Sequence, residues 1–173
     1  MRTLNATAAS LLGLLHDGPL TGWDLVASAQ DRIGNFWTLT QSQVYRELAR
    51  MTEDGLVTVG DPGPRDRKPY TITDAGAAAF AEWIDADPAH DQVRVPLLVT
   101  ILFSAHLRAG RLAEIIAAAR AAHAARLAAY RTHEQDLASA GDRVRLATLR
   151  FGIRHEQAAL DWFDELPALL GGS

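Results

Sequence analysis

Between Thr40 and Gly55 the chain sets hydroxyl, amide, phenol and guanidinium groups at helical spacing. At about 100° per residue, Val44, Leu48 and Met51 share one face. Ser42, Arg46, Ala49 and Arg50 fall roughly opposite, with Gln43 and Tyr45 on the flanks. The apolar stripe must face a core. The other side then offers groups that can hydrogen-bond to base edges in a major groove or grip phosphates. Free N–H groups at the helix N-terminus also suit phosphate. A second cationic set, Arg65, Arg67 and Lys68, follows a glycine- and proline-rich stretch. The alternative for every one of these cations is a solvated surface. Glu47, Glu53, Asp54, Asp61 and Asp66 weigh against an anionic partner.

Other chemistries find little support. The chain has no cysteine, which excludes disulfides and thiol chemistry. His155-Glu156 begins like a zinc-protease helix, but Ala159 stands where the second imidazole is needed. His123 and His133 fall on different faces of one helix, and His106 sits in an apolar one. Asp164 and Glu165 are adjacent and face apart. No nucleophile elbow, phosphate-binding glycine loop or dinucleotide fingerprint occurs. The expectation is a protein with no metal, no cofactor and no enzymatic activity.

Elements must hold these groups in place. Leu4 to Leu15 has helical apolar spacing, ended by Asp17-Gly18-Pro19. Thr21 can cap a second helix running to about Arg32, and Gly34-Asn35 marks a turn. Thr40 with Gln43 forms a capping-box pattern for the third helix, closed by Gly55. Leu56 to Val59 and Tyr70 to Thr73 are β-prone and flank a loop, so they read as a hairpin with a basic tip. Thr73 or Asp74 opens a fourth helix that ends before Pro88. Three helices followed by a two-stranded hairpin have the layout of a winged helix. Beyond Pro88 the expectation is all-helical: Val95 to Leu107, Leu112 to Ala138 at about 40 Å, and Val144 to Leu166. Such long helices need each other, and a second chain, to bury their apolar stripes. The fold class is therefore mainly α, with a winged helix over residues 1–86 and a helical dimerisation domain over 92–167.

Composition agrees with a globular protein. The 173 residues are 48% hydrophobic, 22% charged and 7% aromatic. The longest apolar run, Val95 to Phe103, contains Pro96 and Thr100 and falls far short of a membrane span. The N-terminus has no secretory pattern, so a cytoplasmic protein with no membrane partner is expected. The net charge of −4 lies wholly in the first half, with seven basic and eleven acidic residues before position 87. A general polyanion-binding surface is thus not indicated.

The ordered motifs resemble those of the PadR-type transcriptional regulators. They are Leu11-Leu12-Gly13-Leu14-Leu15, Gly18-Pro19-Leu20-Thr21-Gly22-Trp23-Asp24-Leu25, and Phe36-Trp37 with Ser42-Gln43-Val44-Tyr45-Arg46-Glu47-Leu48. Gly55-Leu56-Val57 and Tyr70-Thr71-Ile72-Thr73-Asp74-Ala75-Gly76 complete the series over residues 4–86. Ala159-Leu160-Asp161-Trp162-Phe163 resembles the family's last dimerisation helix more weakly. The resemblance implies a homodimer that binds a double-stranded DNA operator. It puts Tyr45 at the position of a phosphate-contacting tyrosine, and Arg46 where family members often carry proline. It also implies a small aromatic effector in many members, although no effector-site residue transfers by motif. Trp37, Trp83, Phe103 and Trp162 are candidate effector-lining aromatics, with core or interface packing as the alternative. Packing is also the reading for Trp23 and Phe36. From a different class, a winged-helix module that binds a protein and not DNA would fit the acidic first half.

Overall fold

The computed structural model describes residues 4–34, 37–63, 67–89 and 93–171. The chain divides into two compact units, Met1–His90 and Asp91–Ser173. In the first, α1 (Ala6–Leu15), a short strand β1 (Leu20–Thr21), α2 (Gly22–Arg32) and α3 (Gln41–Glu53) precede β2 (Val57–Val59), β3 (Pro69–Ile72) and α4 (Asp74–Asp85). The second contains α5 (Pro96–Leu102), a single 3-10 turn at Ser104–His106, α6 (Arg111–Ala140) and α7 (Arg143–Leu169).

Capping fixes the helix starts of the first unit. Asn5, Thr21, Thr40 and Thr73 each accept a backbone N–H from the first turn that follows. Thr21 with Asp24, and Thr40 with Gln43, complete reciprocal capping boxes. Gly55 closes α3 with a left-handed φ of 71°. The core forms where the three helices converge, from Leu11, Leu12, Leu15, Leu25, Val44, Leu48 and Met51, with Val57 of β2. The apolar stripe of α3 is thus the buried face that its spacing requires.

The sheet departs from the expected two strands. Its order is β1-β3-β2, all antiparallel. Val57, Thr58 and Val59 face Ile72, Thr71 and Tyr70, and Leu20 and Thr21 face Tyr70 and Pro69. A two-residue strand wedged between Pro19 and a helix cap is too short to show a period. Helix α4 is anchored on this sheet: Thr73 Oγ1 donates to the Gly55 and Leu56 carbonyls at 2.8 and 3.1 Å. Gly76 approaches so closely that a Cβ there would stand 2.1 Å from the Leu56 oxygen.

In the second unit, α6 and α7 pair antiparallel. Arg120 meets Asp164, Arg131 meets Gln157 and Arg150 meets Glu134 along their length. At mid-length the buried Glu156 lies 2.6 Å from His123 Nδ1 and accepts from Arg126 Nε at 3.0 Å. The His123 ring in turn packs on Phe163, with centroids 5.4 Å apart. His123 and Glu156 thus serve a helix–helix tie. The expected helix from Val95 to Leu107 is corrected to a shorter α5, after which the chain tightens to a 3-10 turn and becomes extended at Leu107. Helix α7 runs through Pro167, whose missing N–H costs a hydrogen bond only in its last turn. Among the described residues no helix is long and apolar enough to cross a membrane.

Candidate nucleic-acid interface

Helix α3 presents its polar side away from the Val44, Leu48 and Met51 stripe, and Ser42, Tyr45 and Arg46 are exposed there. The helix start is tightly organised. Gln43 Oε1 accepts from Thr40 N and from Thr40 Oγ1, both at 2.9 Å, while Thr40 Oγ1 accepts from Gln43 N at 3.3 Å. The Ser42 hydroxyl lies 3.2 Å from the same threonine oxygen. The carbonyl oxygen of Gln43 is therefore committed to the cap, which leaves its NH2 group as the donor for any partner.

The two arginines of α3 differ. Arg46 is exposed, and among the described residues no ion pair engages it. Arg50 stands on the flank toward α1 and not opposite the core. Its side chain is 36% exposed and lies 3.7 Å from a Glu47 carboxylate oxygen. Glu47, counted from the sequence among the acids that weigh against an anionic partner, is buried and accepts from Asn5 Nδ2 at 3.2 Å. Asn5 also caps α1 through Ala8 N at 2.8 Å. The carboxylate thus ties α3 to the start of α1. Its signal in the sequence is its position, three residues after Val44 and four before Met51, on the edge of the core stripe.

Tyr45 lies against the start of α2. A Cβ on Gly22 would stand 2.6 Å from Tyr45 Cε1, so the phenol ring rests on bare backbone. Burial raises the Tyr70 phenol above the ordinary tyrosine range, and the neighbouring Tyr45 hydroxyl adds to the shift. Wing residue Lys68 is exposed, and Arg67 stands over the Trp23 ring with Cζ 5.3 Å from its centroid. Trp23 is 55% exposed, which removes the core half of its reading as a core or interface residue. Arg65, together with Phe36, lies outside the described residues.

The four candidate effector aromatics divide between the units. Trp37 is 38% exposed and Trp83 half-buried in the first; Phe103 is largely exposed in the second. Trp162, also in the second, packs against Phe163 in a tilted arrangement with ring centroids 5.0 Å apart.

A three-helix core, a wing pinned by a short third strand and a following unit of two long helices define a winged-helix regulator with a helical C-terminal unit. Residues 11–82 match the family model described as Transcriptional regulator PadR-like family. Residues 93–171 match that of the Virulence activator alpha C-term. The chain is 32% identical over 181 aligned positions to the Mycobacterium tuberculosis protein named "Probable transcriptional regulator Rv1176c", covering 93% of this chain and 95% of that one. It is also 35% identical over 78 residues to the negative transcriptional regulator PadR of Bacillus subtilis, an alignment spanning 43% of each protein. The fold matches B. subtilis PadR in complex with operator DNA at a TM-score of 0.79, with 21% identity over 97% of this chain and 99% of that one. The same protein in complex with p-coumaric acid matches at 0.71, with 24% identity over 96% and 99%. The Vibrio cholerae virulence activator AphA matches at 0.76, with 29% identity over 96% and 98%. The chain belongs to the PadR-like family of transcriptional regulators, whose members are not enzymes.

Proposed function

We propose that the protein represses transcription as a homodimer that binds a pseudo-palindromic DNA operator, with residues 1–86 reading DNA and residues 92–167 holding the dimer. The observation that carries this reading is the polar face of α3, where Ser42, Tyr45 and Arg46 are exposed on a helix whose other side is locked into the core. Ser42, Gln43 and Arg46 read base edges or phosphates, Tyr45 meets a phosphate, and Arg50 adds a weaker contact from the flank. Arg67 and Lys68 reach the adjoining backbone from the wing, and Arg65 is a further candidate for that contact. The operator complex of B. subtilis PadR supports the same use of the fold.

The second unit supports dimerisation by what it leaves uncovered. Val144 and Phe151 of α7 are 78% and 64% exposed, and α5 buries none of its apolar residues. Patches of this kind mark association surfaces. A small aromatic acid, as in the p-coumaric acid complex of B. subtilis PadR, releases the DNA by favouring one arrangement of the protomers. Its candidate contacts are Trp37 and Trp83 within the first unit, or Phe103 and Trp162 within the second. Selection of duplexes from a random-sequence library, followed by footprinting, tests the reading. The expected site has two inverted half-sites whose centres lie about 34 Å apart, or a multiple of that. A single asymmetric site would overturn the dimeric mode of reading.

A further inference from the structure

Four consecutive residues, Leu20 to Trp23, meet the wing strand, Tyr45 of α3 and Arg67 of the wing. Leu20 and Thr21 pair with Tyr70 and Pro69 of β3, the strand that leaves the wing tip. The next residue, Gly22, is buried beneath Tyr45. A Cβ there would stand 2.6 Å from Cε1, 2.7 Å from Cζ and 3.0 Å from Oη of that ring. No side chain fits unless the tyrosine moves away. After it comes Trp23, a large indole in the first turn of α2 that remains more than half exposed. Such exposure rules out a core-packing role, and Arg67 of the wing stands over its ring.

From this juxtaposition we infer that the turn into α2 is the positioning element of the DNA interface, with Gly22 setting Tyr45 and Trp23 setting Arg67. The inference rests on the DNA-binding reading and deepens it. A wing arginine free in solvent loses rotamer freedom when it binds phosphate, and that loss weakens the contact. A guanidinium already held over an indole has lost part of that freedom beforehand. The cation–π contact engages the ring face and leaves the N–H fork free for phosphate oxygens. Gly22 acts on Tyr45 in the same sense, fixing the height of the phenol above the backbone. Because β1 is paired with the wing strand and runs straight into α2, wing and recognition helix are gauged from one short segment.

The test is a pair of mutant cycles read by fluorescence anisotropy on the duplex that the wild-type chain selects from a random library. Trp23→Ala is expected to weaken binding about two- to five-fold, the range of an exposed cation–π contact. It should also flatten the salt dependence as Arg67→Ala does, while Trp23→Phe retains most of the affinity. In an Arg67→Ala background, Trp23→Ala should change nothing further. Gly22→Ala should weaken binding in the wild-type background and not in a Tyr45→Ala background. Thermal unfolding of Trp23→Ala should stay cooperative, with only the small drop that loss of an exposed cation–π contact brings, since the indole lies outside the core. Additive losses from Trp23→Ala and Arg67→Ala would overturn the inference, because Trp23 would then act on DNA by itself. An unchanged affinity of Trp23→Ala would overturn it as well. Wild-type protein that selects no duplex and shows no salt dependence overturns the DNA reading itself, a distinct outcome from either of these.

Discussion

Arg46 and Arg50 are four residues apart on one helix, yet the structure makes them unequal. Arg46 is exposed, whereas Arg50 is drawn to the buried Glu47 carboxylate at 3.7 Å. An arginine that contacts a base edge contributes about 1–3 kcal/mol of discrimination, so Arg46→Ala should weaken operator binding about 5- to 150-fold. For Arg50 the same contact must compete with an existing pair. Pairs at the surface are worth about 0.2–1 kcal/mol, and the low exposure of Glu47 places this one toward the upper end. Arg50→Ala should then cost about 1 kcal/mol less than Arg46→Ala, a ratio of about five in affinity. Glu47→Gln keeps an acceptor for Asn5 and releases Arg50, so binding should tighten by up to about five-fold. Anisotropy titrations on the selected duplex measure all three, with thermal unfolding to verify that folding is intact. An Arg50→Ala loss equal to or larger than that of Arg46→Ala would refute the assignment of these roles.

Three further outcomes follow from the packing and the charges. Gly76→Ala places a methyl against the Leu56 carbonyl, at 2.1 Å before any shift. The overpacking should cost about 1–3 kcal/mol and lower Tm by at least about 2 °C; calorimetry showing an unchanged Tm would remove the claim that α4 is seated through this glycine. The raised Tyr70 phenol favours its neutral form in the folded state, so stability is full below pH about 10 and falls as pH rises past the unfolded value. Tyr70→Phe should flatten that alkaline decline, and equal slopes for both proteins would refute the burial effect. Truncation after Asp87 should convert a dimer to monomers in sedimentation velocity, and a truncated chain that stays dimeric would refute the role of the second unit.

Much of this fold is legible in the sequence because capping and periodicity are local. Thr21 with Asp24, and Thr40 with Gln43, mark two helix starts to the residue, and the Val44, Leu48 and Met51 stripe marks the buried face of α3. What was not legible depends on contacts distant in the chain. β1 is a strand only because Tyr70 and Pro69 lie beside it. Glu47 is buried because Asn5, 42 residues earlier, supplies its donor. Trp23 reads as a core or interface residue, and only the fold shows it outside the core with Arg67 of the wing over its ring. The basic residues of α3 and the wing were visible as candidates, whereas the inequality of Arg46 and Arg50 required the neighbouring α1.

The central claim is that the polar face of α3 and the wing bind DNA with sequence preference. Anisotropy of the 173-residue chain on its selected duplex and on a scrambled duplex, across a salt series, tests it most directly. The account predicts tight binding to the selected duplex, weaker binding to the scrambled one, and a log–log salt slope of about −0.9 for each phosphate contact. Equal affinity for the two duplexes, with a slope near zero, would contradict it.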